Sequence, residues 1–239
     1  MIGGAYTEAG ARHFPAALSV ADRAALRRLC DRMPAGRPGM RLSGDPVLCE
    51  MLEPAGCVGR LAACVLGPVA RPVRALLFNK TAEANWIVPW HQDRTIAVRD
   101  RRDVAGFGPW SVKGGMQHVE PPFAILAGMV TVRIHLDDCG ADNAPLLIAP
   151  GSHRIGRVPA KEAAGHAERI GQTACLAEAG DVWLYATPIL HASERARAPA
   201  QRRVVQVDYA IGDLPGGLEW LGLPTSAGGN KARLKTYSP

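Results

Sequence analysis

The stretch MVTVRIHLDDCGADNAPLLIAPGSHR, Met129 to Arg154, decides the fold. It contains two short apolar runs, "MVTVRIHLD" and "APLLIAP", separated by the turn signal "DNAP" and closed by "APGSH". Runs of this length, rich in Val, Ile and Leu and bounded by Gly, Pro, Asn and Asp, are strand signals. Working outward, "VRALLFN" and "NWIVPW" lie upstream, and "DVWLYAT" and "RRVVQVDYA" lie downstream, the former entered by the turn "EAGD". Several short strands punctuated by turns predict an all-β sandwich or barrel.

The N-terminal side reads differently. In "SVADRAALRRLCDRM", Ser19 can cap a helix, with Asp22 three residues on in a capping-box-like place. Leu26, Leu29, Cys30 and Met33 form one apolar stripe, and Pro34, Gly36, Pro38 and Gly39 stop it. A weaker helix covers about 56–66. These helices are expected to pack on one face of the β-structure. Residues 94–125 read as a long Gly- and Pro-rich loop, a natural lid. From Gly212 onward only "LEWLG" looks able to dock. The expected organisation is one domain over 1–239, with a helical part at 15–70, a β core at about 74–210 and a tail at 212–239.

Composition narrows the class. The hydrophobic fraction of 47% and charged fraction of 21% are those of an ordinary globular chain, so disorder throughout is excluded. The six cysteines form no C-x-x-C pair, which points to reduced, mostly buried thiols in a cytosolic protein. No signal-peptide pattern or apolar span is visible, so a cytoplasmic protein without membrane attachment is expected. The net charge is +6, but the basic residues are scattered among acids, as in "VRDRRD", and no aromatic–basic platform accompanies them. An anionic small substrate accounts for the excess as well as a polymer would, and a solvated basic surface accounts for it better than either; a small-molecule partner, anionic or not, is expected rather than nucleic acid. Nothing in the sequence bears on oligomeric state.

The chemistry starts at "PWHQDRT", Pro89 to Thr95. In a strand, residues two apart share a face, so His91 and Asp93 point together and Gln92 points away. Taken alone, this pair is equally a polar turn or a buried histidine. Of the histidines further along the chain, His118, His135, His153 and His166 sit in less suggestive contexts than His191. His191 follows the strand signal in "AGDVWLYATPIL", has Ser193 two residues on, and precedes Arg202 by eleven. Two histidines and one carboxylate are the ligand set of non-haem Fe(II) oxygenases. A nearby arginine can hold the far carboxylate of a metal-chelating acid.

With these blocks in order, the sequence resembles the phytanoyl-CoA dioxygenase-like branch of the Fe(II)/2-oxoglutarate oxygenases over about residues 74–210. The resemblance rests on "PWHQD", "LDDCGADNAPLLIAPGSHR", "AGDVWLY" and "HAS", with Arg202 and Tyr209 downstream. It implies a double-stranded β-helix, a cupin-like jelly-roll that is mainly β with flanking helices. It implies that His91, Asp93 and His191 hold Fe(II), and that the distal carboxylate of 2-oxoglutarate pairs with Arg202 and Ser193. It implies hydroxylation of a small molecule by O2, with 2-oxoglutarate decarboxylated to succinate. Asp93 favours hydroxylation or another oxidation over halogenation, because related halogenases lack that carboxylate. The alternative is a non-oxygenase metalloenzyme, or a non-catalytic metal-binding protein, on the same barrel.

Some assignments stay open within this reading. Arg202 and Arg203 face opposite sides of a strand, and alternation does not choose between them. The family's spacing selects Arg202, with Arg203 the fallback. Where many relatives carry an aromatic before "LDD", this chain has Thr131, Arg133 and His135 on one face. Thr131 and Arg133 are therefore candidates for co-substrate binding. Arg133 is equally a binder of an anionic substrate, or a rim cation with its stem packed down. Relatives read Asn-Gly where this chain has Asn143-Ala144. Substrate candidates are Arg94, Trp110 and Gln117 in the lid, with Asn79 beside Lys80 at a strand end; packing and exposure are the alternatives for each.

Overall fold

The computed structural model describes residues 3–32, 38–42 and 44–223. The chain enters through α1 (Gly3–Ala9), β1 (Ala11–Phe14), α2 (Val20–Cys30), β2 (Gly39–Arg41), α3 (Pro46–Leu52) and α4 (Gly59–Leu66). It continues through β3 (Arg71–Lys80), β4 (Val88–His91), β5 (Ile96–Val98), β6 (Trp110–Lys113), β7 (Met116–Val119), α5 (Phe123–Ala127), β8 (Val130–His135) and β9 (Leu146–Ile148). Then come α6 (Ala163–Ile170), β10 (Thr173–Cys175), β11 (Val182–Ala186), β12 (His191–Ser193) and β13 (Arg202–Ala210).

The strands form a six-stranded sheet in the order β1-β11-β8-β13-β3-β2 and a four-stranded sheet in the order β10-β9-β12-β4. Every pairing in these sheets is antiparallel. The inner faces of the two sheets enclose a cavity, giving a jelly-roll. The outer face of the large sheet carries the helices. Leu26, Leu29 and Cys30 of α2, Leu48, Met51 and Leu52 of α3, and Leu61 and Ala62 of α4 join one core with Ala75, Leu77, Val132, Ile134, Val205 and Val207. Burying these side chains supplies the main stabilisation of the domain, at about 25 cal/mol per Å² of apolar surface removed from water.

Local chemistry explains the helix starts. Ser19 caps α2, its Oγ accepting from the Asp22 amide at 3.1 Å. Asp45 caps α3 by accepting from the Val47 and Leu48 amides at 3.0 and 3.2 Å. Met33, Pro34 and Gly36, read as the end of the α2 pattern, lie outside the described residues, as does the tail beyond Leu223. Within the described tail, Leu218 and Trp220 pack into a second core with Ile96, Val98 and Val119, and Trp220 bridges Val98.

Three expectations are corrected. The segment 94–125 is no plain loop: β5, β7 and β6 make a third antiparallel sheet, followed by α5. Its glycines and prolines punctuate very short strands, which hid them. The part at 15–70 is not purely helical either, because β2 lies within it and forms one edge of the large sheet, whose other edge is β1. The cysteines are less buried than expected: Cys30, Cys139 and Cys175 are buried, Cys49 and Cys57 half-buried, and Cys64 exposed. No helix among the described residues is long and apolar enough to cross a membrane.

Candidate metal centre and anion pocket

Strand alternation builds the site. Along β3, Arg74, Leu76 and Phe78 face the cavity, while Ala75 and Leu77 face the helices. Along β13, Arg202 and Gln206 face the cavity, while Val205, Val207 and Tyr209 face the helices. Arg133 of β8 pairs with Gln206 in register and joins the same wall. The opposite wall is β4 and β12, which bring His91 directly across from His191. The cavity holds about 230 Å³.

At one end, ligand atoms of His91, Asp93 and His191 all lie within 4.8 Å of one another. The two imidazole rings are 4.2 Å apart, centroid to centroid. Each ring is held the same way. His91 Nδ1 donates to the Pro89 carbonyl at 2.8 Å, and His191 Nδ1 donates to the Ile189 carbonyl at 2.9 Å. With the proton fixed on Nδ1, each Nε2 keeps its lone pair for a cation. Burial, the His91 ring and Arg133 oppose protonation of His191, and its pKa falls to about 4 despite Asp93. Asp93 Oδ2 is buried and accepts no hydrogen bond, with Arg74 at 3.9 Å. Burial raises the Asp93 pKa, but the imidazoles and the Arg74 guanidinium around it together bring it below the ordinary carboxylate value. A buried carboxylate oxygen without a donor, beside two outward lone pairs, fits a divalent metal of the type bound by imidazole and carboxylate.

Gln92 does point away from this group, and its contacts explain why it is buried. Its Nε2 donates to the Gly156 and Pro188 carbonyls at 3.0 and 2.8 Å, and its Oε1 accepts from the Val158 amide at 2.9 Å. It thereby ties the His91–Asp93 turn to the turn that leads into His191. On the sheet side, Arg74 Nε donates to Asp208 Oδ2 at 2.5 Å, and Thr131 Oγ1 donates to Asp208 Oδ1 at 3.1 Å. Burial and the Asp93 charge push the Asp208 pKa up, against Arg74.

The other end is cationic. Arg202 is only 2% exposed. One of its terminal nitrogens donates to the Ala144 carbonyl, and its buried Nε has no acceptor among the described residues. Ser193 also faces this end and donates to the same carbonyl at 3.3 Å. Ala144 sits at φ 51°, in the left-handed region that favours glycine. Arg203 points outward, where its Nε and a terminal nitrogen donate to Asp137 at 2.8 and 2.7 Å. Arg133 lines the cavity between the two ends, donating to Gln206 Oε1 at 2.8 Å with its buried Nε unpartnered.

The remaining candidates are placed elsewhere. Thr131 is fully buried beneath the cavity floor, committed to Asp208 and Thr187. Asn79 pairs in register with Arg203 and so lies on the helix side of β3. Arg94 is ion-paired with Glu120 at 3.1 Å. Trp110 packs against the second core under Arg101, and Gln117 lies in the middle strand of the small sheet. None of these five lines the cavity. Lining residues missing from the sequence reading include Arg74, Phe78, Trp86 and Gln206. The period-two pattern of Arg74, Leu76, Phe78 and Lys80 was the signal that could have found the β3 members.

Comparisons with known proteins bear on the family and the fold. The family model described as Phytanoyl-CoA dioxygenase (PhyH) matches residues 48–204. No sequence among the curated proteins matches. Among solved structures, the non-heme α-ketoglutarate-dependent carbocyclase SnoK from nogalamycin biosynthesis superposes with a TM-score of 0.64 at 18% identity, covering 92% of this chain and 85% of that one. The epimerase SnoN, in complex with Fe3+, α-ketoglutarate and nogalamycin RO, gives 0.64 at 15% identity, covering 98% and 93%. HygX from Streptomyces hygroscopicus, with nickel and 2-oxoglutarate bound, gives 0.57 at 15% identity, covering 86% and 84%.

Proposed function

The chain belongs to the phytanoyl-CoA dioxygenase family, and from that premise we propose that it is an Fe(II)- and 2-oxoglutarate-dependent dioxygenase that hydroxylates a small-molecule substrate. One observation carries the reading. A His91–Asp93–His191 cluster with its lone pairs turned outward stands at one end of a cavity whose other end holds the buried Arg202 and Ser193. A dicarboxylate that chelates a metal through one end needs a cation for the other, and the cavity supplies both. The structural neighbours include a carbocyclase and an epimerase, so the fold leaves the reaction open. Asp93 speaks only against halogenation, and among the remaining oxidations hydroxylation is the reading put to the test below.

Iron and 2-oxoglutarate, when bound, supply the oxidation, with O2 consumed and 2-oxoglutarate split to succinate and CO2. The chain's own residues do the rest. His91 and His191, locked by their carbonyl partners, and the ionised Asp93 would hold the metal. Arg202 and Ser193 would fix the distal carboxylate, which aligns the co-substrate along the cavity. Arg74 steadies Asp93 from the side, backed by Asp208. Leu76, Phe78, Trp86 and Val88 exclude water.

The test is anaerobic addition of Fe(II) and 2-oxoglutarate, followed by visible absorbance. The intact protein is expected to develop a weak charge-transfer band that is absent in Asp93→Ala. Iron binding without that band refutes the co-substrate assignment. Succinate release across a metabolite panel, coupled to a product heavier by one oxygen, then tests hydroxylation.

A further inference from the structure

Lys80 has no role in the reading above, yet it is 1% exposed and lies directly behind the cationic end of the cavity, held against Ser193, which lines it. It pairs in register with Arg202, and its Nζ donates to Ser193 Oγ at 3.2 Å and to the Glu194 carbonyl at 2.7 Å. The Trp86 ring lies 5.1 Å from Nζ. Among the described residues, the titratable groups acting on it are Arg202 of β13 and Arg133 of β8, both cations, and the Cys139 thiol in the turn after β8; no carboxylate is among them. A buried ammonium without a counter-charge is costly. A neutral amine has two N–H groups, and both are already used here. An ammonium has three, and the third would have no partner until an acceptor arrives. Arg202 Nε waits in the same way.

We propose that Lys80 is the third member of the carboxylate pocket with Arg202 and Ser193, and that it takes up a proton from solvent when a dicarboxylate enters. The proton goes to Nζ, and the new N–H donates to the arriving carboxylate; no covalent bond changes. Burial and the two arginines bring the lysine to about 7 when nothing is bound, so that at pH 8 most of it is neutral and ready to gain the proton. The inference rests on the co-substrate reading, deepens it, and is separable from it.

The experiment is calorimetric titration of 2-oxoglutarate into the anaerobic Fe(II)-loaded protein at pH 8, in buffers of different ionisation enthalpy. Wild type is expected to take up close to one proton per molecule bound. Its Kd should weaken by up to about tenfold per pH unit above pH 7.5. Lys80→Arg, which is always charged, should bind with no such uptake and a flatter pH profile, and Lys80→Met should bind weakly with none. Tight binding by wild type with the same proton count as Lys80→Arg overturns this inference and leaves the co-substrate reading standing. No binding by wild type overturns both.

Discussion

Two adjacent arginines, Arg202 and Arg203, provide the sharpest test of the site. Arg202→Met removes a guanidinium that is 2% exposed, with a buried Nε lacking any acceptor in the structure. A carboxylate reaching it would gain one or two charge-assisted hydrogen bonds, at ~1.5–3 kcal/mol each. Lys80 and Ser193 remain at the same end and retain part of the attraction. The expected loss is therefore about 3 kcal/mol, a weakening of the 2-oxoglutarate Kd by roughly a hundredfold. Arg203→Met removes the pair with Asp137, whose two side chains are each 15% exposed, on the far side of the strand. It should cost stability, on the order of 1–2 kcal/mol, and leave Kd within about twofold. The assay is titration of the Fe(II)-loaded protein with 2-oxoglutarate under anaerobic conditions, with a thermal melt of each variant. An equal loss of affinity in the two variants, or a larger one in Arg203→Met, refutes the assignment of faces.

Further outcomes follow from single contacts. Gln92→Leu unties the two turns that carry the metal ligands, so metal affinity should fall by about 10–100-fold, measured by competition with a chelating dye. Ala144→Gly should relieve the left-handed backbone at φ 51° and stabilise the protein by about 0.5–1 kcal/mol, seen as a melting point raised by a few degrees. His135 is 1% exposed with both ring nitrogens unpartnered, and burial with Arg133 and Arg202 pushes its pKa down to about 3. His118 falls to about 4, chiefly through burial. The unfolded chain binds these protons near pH 6.5 and the folded one does not. Stability is therefore full above about pH 6.5 and is lost as pH falls toward 4. Denaturant titrations from pH 7 to 4 should show that slope, and His135→Leu should make it shallower.

Much of the molecule follows from sequence because its signals are local. The runs around Met129–Arg154 alternate and end at turns, so β8 and β9 announce themselves. Ser19 and Asp22 mark the start of α2 because capping needs only neighbouring residues. His91 and Asp93 share a face through the two-residue period of a strand. The short strands of 94–119 escaped because runs of three or four residues leave too little pattern to rise above the glycines and prolines around them. Asn79 is a substrate candidate by sequence, yet its strand partner is the outward Arg203, and pairing register is invisible in one sequence. The same limit applied to Arg202 and Arg203, which are locally equivalent. Only the antiparallel pairing of β13 with β3 and β8 decides that Arg202 turns inward beside Lys80. Residue types and spacing thus determined what chemistry the chain carries. Which side chains share one cavity was decided by long-range strand register, because burial on the helix side fixes one face of each strand and leaves the other for the site.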